Sequence, residues 1–502
     1  MGDAPSSPTH DLTLLSIIAQ GLSSSKGRKE FSTFGSDLDR RQARVLDSLA
    51  YLLVSREEKQ VVAVGLRLRD EGPGLELLVS DSGDCLQATL THSIHIVRRL
   101  RDIHLALPLQ DKPSRIDTLP TSDPDSYLGR LIIDLERAII EHSRIKLLHR
   151  FRKHSRYRHF LDTARDVYGL PVAARADITD DIERAHLRTL QTSELFPRDE
   201  FESQLRVIGL LGNNCDVTVD GLRLLLHSMA GWKERIQRIN SYRRSWDAYT
   251  SCRLKRLQSD SSDDKHSADV AHWLSKITEI REHFNRLIEG VLSPKLAPIL
   301  LDIVGARQIT SVPPVQRSPS VVLDYDELRL VLDTSNAGEV RRFLRGLQAT
   351  QGGTWLDASE EKLVLNPGLV HPECQILAHI HSRPALPYIA VSKLSCARCD
   401  MYLSVYRSKT GANIYTRGTS GQITQWRYPS LGSSEKALAI EKLIRSRLLN
   451  MIWHGWEDYS RPPPDVAEQQ TADEALQAAW ARLETGLESF RAEPQDDSNL
   501  AT

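Results

Sequence analysis

Residues 370–399 read VHPECQILAHIHSRPALPYIAVSKLSCARC, and this stretch decides how the C-terminal part of the chain folds. The run YIAVSKL (388–394) is apolar and rich in β-branched residues, which predicts a strand. Cys396 and Cys399 follow it as a C-x-x-C pair, placed where a helix is predicted to begin. Upstream, KLVLN (362–366) reads as another strand, and Pro372 is favoured as the first residue of a helix. His371 and the two cysteines therefore each stand at a strand-to-helix junction. Free N–H groups and the helix dipole favour thiolates at such a place.

Two thiolates and an imidazole are good zinc ligands, so Zn2+ is the expected cofactor. His371, Cys396 and Cys399 supply three ligands with no evident fourth, whereas a structural zinc site is normally closed by four. A three-ligand site leaves a position for water, which zinc acidifies toward neutrality. Glu373, two residues after His371, is placed to face that water without ligating. A carboxylate there can take a proton and pass it on.

H-x-E followed by C-x-x-C, with 24 residues between His371 and Cys396, is the signature of zinc-dependent base deaminases. The stretch resembles the cytidine-deaminase-like superfamily. The wider text HPECQIL, YIAVSKLSCARC and TRGTSGQITQW (416–426) is similar to one group in particular, the OTT-type deaminases. These are predicted nucleic-acid deaminases found largely in fungi. The likeness covers about 100 residues, from roughly 340 to 430. It implies a three-layer α/β domain with a mixed sheet and helices on both faces. It also implies His371, Cys396 and Cys399 as zinc ligands and Glu373 as general acid/base. The implied reaction is hydrolysis at C4 of cytosine or C6 of adenine, with a nucleic acid or nucleotide as substrate. Two positions depart from the pattern. Ser395 stands where many members have proline, and Pro372, in the middle of H-x-E, has no N–H to offer a substrate oxygen. Two other readings are a catalytically inactive deaminase fold that keeps zinc for structure and serves as an interaction module, and a free nucleoside or nucleotide deaminase.

Other residues near the motif are read more plainly. His379 and His381 resemble part of another metalloprotease pattern whose downstream Asp is missing, so a helix end at the surface is expected for both. Cys374 is expected to be a small buried residue. Asn366, Arg417 and Trp426 are candidate substrate contacts, against readings as a turn residue, a surface charge and a core ring. Two stretches interleave basic and aromatic residues as single-strand-binding surfaces do, 142–160 and 232–257. Solvated helix faces are the plainer reading.

The chain has 502 residues, too many for one ordinary core. With 40% apolar and 26% charged residues and a net charge of −1, it has globular composition and no global basic footprint for nucleic acid. Six scattered cysteines are no disulfide framework, and they fit reduced thiols in a cytoplasmic or nuclear setting. No secretory signal or run of 18 apolar residues is found, so no membrane association is expected.

The expected organisation has six parts. Residues 1–35 are expected to be disordered, although LTLLSIIAQGL could pack, and 36–305 to form a mostly helical region of unknown role, open to protein partners. Residues 306–321 read as a linker, 322–460 as the deaminase-like domain, 461–490 as a Pro-rich break and docking helix, and 491–502 as a disordered tail. Within the helical region, a hairpin flanks DEGPG (70–74) and one long helix is expected over 125–155. Strands are expected near 402–406, 412–416 and 422–427. Nothing in the sequence sets the oligomeric state.

Overall fold

The computed structural model describes residues 8–460, apart from 23–28, 31–36, 57–59, 83–85, 108–124, 154–155, 170–171, 193–197, 214–216, 259–269, 310–320, 357–359, 366–368, 432–433 and a few single positions. Its strands are β1 (Lys29–Glu30), β2 (Val62–Leu68), β3 (Leu75–Asp81), β4 (Ile303–Gln308), β5 (Val321–Asp324), β6 (Gly353–Trp355), β7 (Lys362–Leu365), β8 (Ala385–Val391) and β9 (Gly418–Thr419). The helices begin with α1 (Pro8–Leu22), α2 (Asp37–Leu52), α3 (Leu86–Leu105), α4 (Tyr127–His142), α5 (Arg144–Arg152), α6 (Arg156–Tyr168), α7 (Asp181–Thr192) and α8 (Arg198–Gly212). They continue with α9 (Val219–Arg238), α10 (Asn240–Gln258), α11 (Val270–Leu292), α12 (Ala297–Leu301), α13 (Tyr325–Leu332), α14 (Ala337–Gln351), α15 (Pro372–Ile380), α16 (Ala397–Thr410) and α17 (Glu435–Ser460).

The central sheet has the order β4-β3-β2-β8, with β2 antiparallel to both neighbours and β3 parallel to β4. Tyr415 extends it past β8 by one parallel bridge: the Ile389 N–H donates to the Tyr415 carbonyl at 2.8 Å. Side chains alternate along these strands and feed two cores. Val62, Val64, Val79, Tyr388 and Ala390 face α2, α3 and α11, while Ala63, Leu78 and Ile389 face α15, α16 and α17. This is the expected mixed sheet with helices on both faces, but three of its four strands come from the region expected to be mostly helical, which is helical between β3 and β4. Gly65 lets α15 approach closely, since a Cβ there would lie 2.8 Å from Ile376 Cγ2.

Strand pairing crosses the expected division at 306–321. β8 takes its partner from residues 62–68, and α3 to α12 form an insertion between β3 and β4. The reason is backbone satisfaction. A strand buried on both faces must pair along its edges, and the nearest strands in sequence belong to a separate antiparallel sheet, β5-β7-β6. Likewise the expected linker begins inside β4, an edge strand in which only Ile303 is buried and apolar alternation is weak. Ile309 is buried and donates its N–H to the Val79 carbonyl at 2.8 Å, residues 310–320 lie outside the described residues, and Val321 opens β5.

Within the segment 1–35, expected to be disordered, the described residues Pro8–Leu22 instead form a packed helix. Leu12, Leu15, Ile17, Ile18, Ala19 and Leu22 of α1 are buried in the same core as α17, and such burial outweighs the ordering of a short segment. The helix expected over 125–155 breaks at Ser143, where the chain after α2 intervenes. The Ser143 hydroxyl donates to the Val54 carbonyl at 3.3 Å, and the Lys146 N–H donates to the Ser55 carbonyl at 3.2 Å. Residues 402–406 are helical rather than a strand, because Cys396 caps the N-terminus of α16 and Gly411, at φ 70°, ends it. The docking helix and tail expected beyond 460 lie outside the described residues. Among those described, no helix is long and apolar enough to cross a membrane.

Candidate active site

Two helix N-termini converge under the C-terminal end of β8. His371 is the N-cap of α15 with Pro372 in its first turn, and Cys396 is the N-cap of α16, its sulfur accepting from the Cys399 N–H. His371 Nδ1 lies 3.1 Å from Cys399 Sγ and 3.5 Å from Cys396 Sγ, and the sulfurs are 3.4 Å apart. A tetrahedral zinc with Zn–S near 2.3 Å would set two sulfurs about 3.8 Å apart, so the three atoms fit one ion after an opening of a few tenths of an ångström. Among the described residues these three are the only group of His, Cys, Asp and Glu with metal-ligand spacing. The donor set is the soft thiolate and imidazole chemistry that suits zinc.

Glu373 lies outside that group but against it. It is 2% exposed, it is hydrogen-bonded to the Cys399 thiol, and its Oε2 is buried with no partner. Burial pushes the carboxyl above its usual range. The Cys396 thiol goes the other way, pulled well below its usual range by hydrogen bonds from Cys399 and His371.

The turn that carries the cysteines is clamped by residues 416–422. The Ser395 N–H donates to the Gly418 carbonyl at 3.1 Å, and the Ser395 carbonyl accepts from the Ser420 N–H at 2.8 Å. Thr419 Oγ1 donates to the same carbonyl at 3.1 Å. Proline at 395 would lack that N–H, which gives the departure from P-C-x-x-C a structural role. Gly418 and Gly421, at φ 142° and 71°, allow the loop to fold back. On the α15 side, Gln375 bridges the loop and the sheet. It donates to the Val370 carbonyl at 2.6 Å and accepts from the Ser80 hydroxyl at 2.8 Å.

The remaining candidates fare unevenly. Asn366 and Trp426 lie outside the described residues. Arg417 is half-buried on the clamping loop, and its charge acts on Asp47 of α2 and His283 of α11. His379 contacts Arg383 and His381 contacts Tyr406, so neither joins the metal group. Cys374 is buried as expected, and its thiol is hydrogen-bonded to that of Cys399.

Among the described residues of the two basic stretches, several cations are committed to internal contacts. The Lys146 ammonium donates to the Tyr51 carbonyl at 3.1 Å, Arg150 pairs with Glu279, and Arg253 pairs with Asp162 and Asp166. Trp232, Trp246 and Tyr249 are at most 3% exposed, so these rings pack the core and offer no face to a base. Sequence reasoning missed Gln375 and the contribution of β2 and β3. It also missed Arg398, whose only signal was its place between the cysteines.

Residues 370–430 match a family model described as OTT_1508_deam-like deaminase. No curated protein and no solved structure matches the chain. The segment that holds His371, Glu373, Cys396 and Cys399 is thus a deaminase-family segment.

Proposed function

We propose that this protein is a zinc-dependent hydrolytic deaminase acting on a cytosine or adenine base in a nucleic acid. The observation that carries this reading is Glu373, buried with Oε2 unpartnered beside a three-ligand group of two thiols and an imidazole. His371, Cys396 and Cys399 would hold the ion. Zinc there would supply Lewis-acid polarisation and lower the pKa of a nearby water toward neutrality. Glu373 takes a proton from the attacking water and delivers it to the ring nitrogen beside the target carbon. It then takes the second proton from the hydroxyl added at that carbon and delivers it to the leaving amine. The water oxygen bonds to C4 of cytosine or C6 of adenine, the C–N bond breaks, and a carbonyl base and ammonia result.

A polymer substrate is favoured because the large helical insertion is superfluous to a free-nucleoside enzyme. Contacts to that polymer would come from surfaces other than the buried aromatics of α9 and α10. The test is ammonia release from RNA, single-stranded DNA and free nucleosides by the zinc-loaded full chain. Release from a polymer that vanishes in Glu373→Gln is expected. Release from nucleosides alone overturns the polymer assignment, and equal background from both proteins overturns the enzyme reading.

A further inference from the structure

Arg398 sits between the two cysteines in sequence and is 0% exposed. A buried cation normally needs a paired carboxylate. Here the guanidinium donates instead to the Ser16 carbonyl and, at 3.5 Å, to Gln20 Oε1, both on α1. It also donates to the Thr424 carbonyl at 2.9 Å. One side chain thus joins the metal-ligating turn to a helix nearly four hundred residues away in the chain.

The N-terminal segment touches this turn twice. After α1, β1 pairs antiparallel with β9, and β9 flanks Ser395 through the Ser395–Thr419 bridge. The C-terminal end of α1 is seated on α17 at Gly455, where a Cβ would lie 2.8 Å from both the Cβ and the carbonyl oxygen of Leu22. The docking of α1 is therefore adjustable at Gly455, a residue with no part in the metal group.

We propose that Arg398 is a positioning residue that couples the docking of α1 to metal binding at His371, Cys396 and Cys399. The inference rests on the metal-centre reading given above. The guanidinium is anchored on the Ser16 and Thr424 carbonyls while its main chain lies in the turn that carries both sulfurs, so the seating of α1 and the positions of the two sulfurs are tied together. Coupling of this kind is reciprocal: metal tightens α1, and a loosened α1 weakens metal binding.

The test uses the full chain as wild type, Arg398→Met, Arg398→Lys and Gly455→Val. Zinc affinity is read by competition with a chromophoric chelator. Hydrogen exchange is read over α1, with α11 as the reference for an intact fold. In the wild type, zinc should slow exchange in α1. Gly455→Val should speed exchange in α1 and weaken zinc binding by several-fold. Arg398→Met should weaken zinc by about ten- to a hundred-fold, as for partners that orient metal ligands. Its α1 should no longer respond to zinc, and Arg398→Lys should fall between. If Arg398→Met loses protection in α11, Gly455→Val decides alone.

Zinc binding with no response in α1 overturns the inference and leaves the metal centre standing. So does a Gly455→Val protein with a loosened α1 and unchanged zinc affinity. A wild type that binds no zinc overturns both.

Discussion

Gly65→Ala tests how the sheet seats the helix that carries His371 and Glu373. The added Cβ would lie 2.8 Å from Ile376 Cγ2, against an ordinary carbon–carbon contact of about 3.8 Å. The misfit is about 1 Å. Ile376 is β-branched, fully buried and stiff at χ1, so the strain falls on the position of α15. Overpacking of this size costs about 1–3 kcal/mol. Shifting α15 moves His371 relative to both sulfurs, now 3.1 and 3.5 Å from Nδ1, because the cysteines ride on α16. The expected result is a lower melting temperature together with weaker zinc binding in the chelator competition. Ile376→Leu removes the offending methyl. In that background Gly65→Ala should cost less by about 1 kcal/mol, the range seen for residues in contact. Wild-type stability and zinc affinity in Gly65→Ala, or an equal cost in both backgrounds, would refute the reasoning.

Two further outcomes are expected. Ser395→Pro removes the N–H donated to Gly418 and should lower stability by about 1 kcal/mol, whereas Ser395→Ala should stay within about 0.5 kcal/mol; equal melting curves for the two variants would show that the backbone bond is unimportant. The second concerns Asp47, which burial pushes up to about 7 although the Tyr388 hydroxyl donates to it at 2.8 Å. Its folded pKa lies above the unfolded value of 3.8, so between these values the folded state binds the extra proton. Its contribution to stability is therefore full below about pH 4 and is lost as pH rises through 7, by on the order of 4 kcal/mol. Asp47→Asn keeps an acceptor for Tyr388 and should flatten that decline in urea melts taken from pH 4 to pH 8. A decline unchanged in Asp47→Asn would rule this residue out as its source.

The metal group was legible because its logic is local. His371 and the C-x-x-C pair are defined by residue type, spacing and the strand-to-helix junctions that carry them, and each junction is written within a dozen residues. The partners of β8 were not legible. The run YIAVSKL predicts a strand, but periodicity does not say that its neighbour is Val62–Leu68, reached across a long helical insertion. The same holds for α1, whose apolar residues become meaningful only against α17. Residues 402–406 misled for a different reason. Their aromatic and β-branched run favours a strand in isolation, yet a capped N-terminus at Cys396 and a glycine stop at Gly411 hold it helical. The basic aromatic helices carried a surface-like composition, while the fold turns Phe151, Tyr157, Phe160, Trp232, Trp246 and Tyr249 inward and pairs several of their charges.

The claim on which the rest depends is a metal centre with three protein ligands and one open position beside Glu373. X-ray absorption at the zinc edge of the full-length, zinc-loaded protein tests it most directly. Two sulfur neighbours at about 2.3 Å and two nitrogen or oxygen neighbours at about 2.0 Å are predicted, unchanged in Cys374→Ser. A third sulfur that disappears in Cys374→Ser would place Cys374 in the fourth position, close the site, and contradict the account.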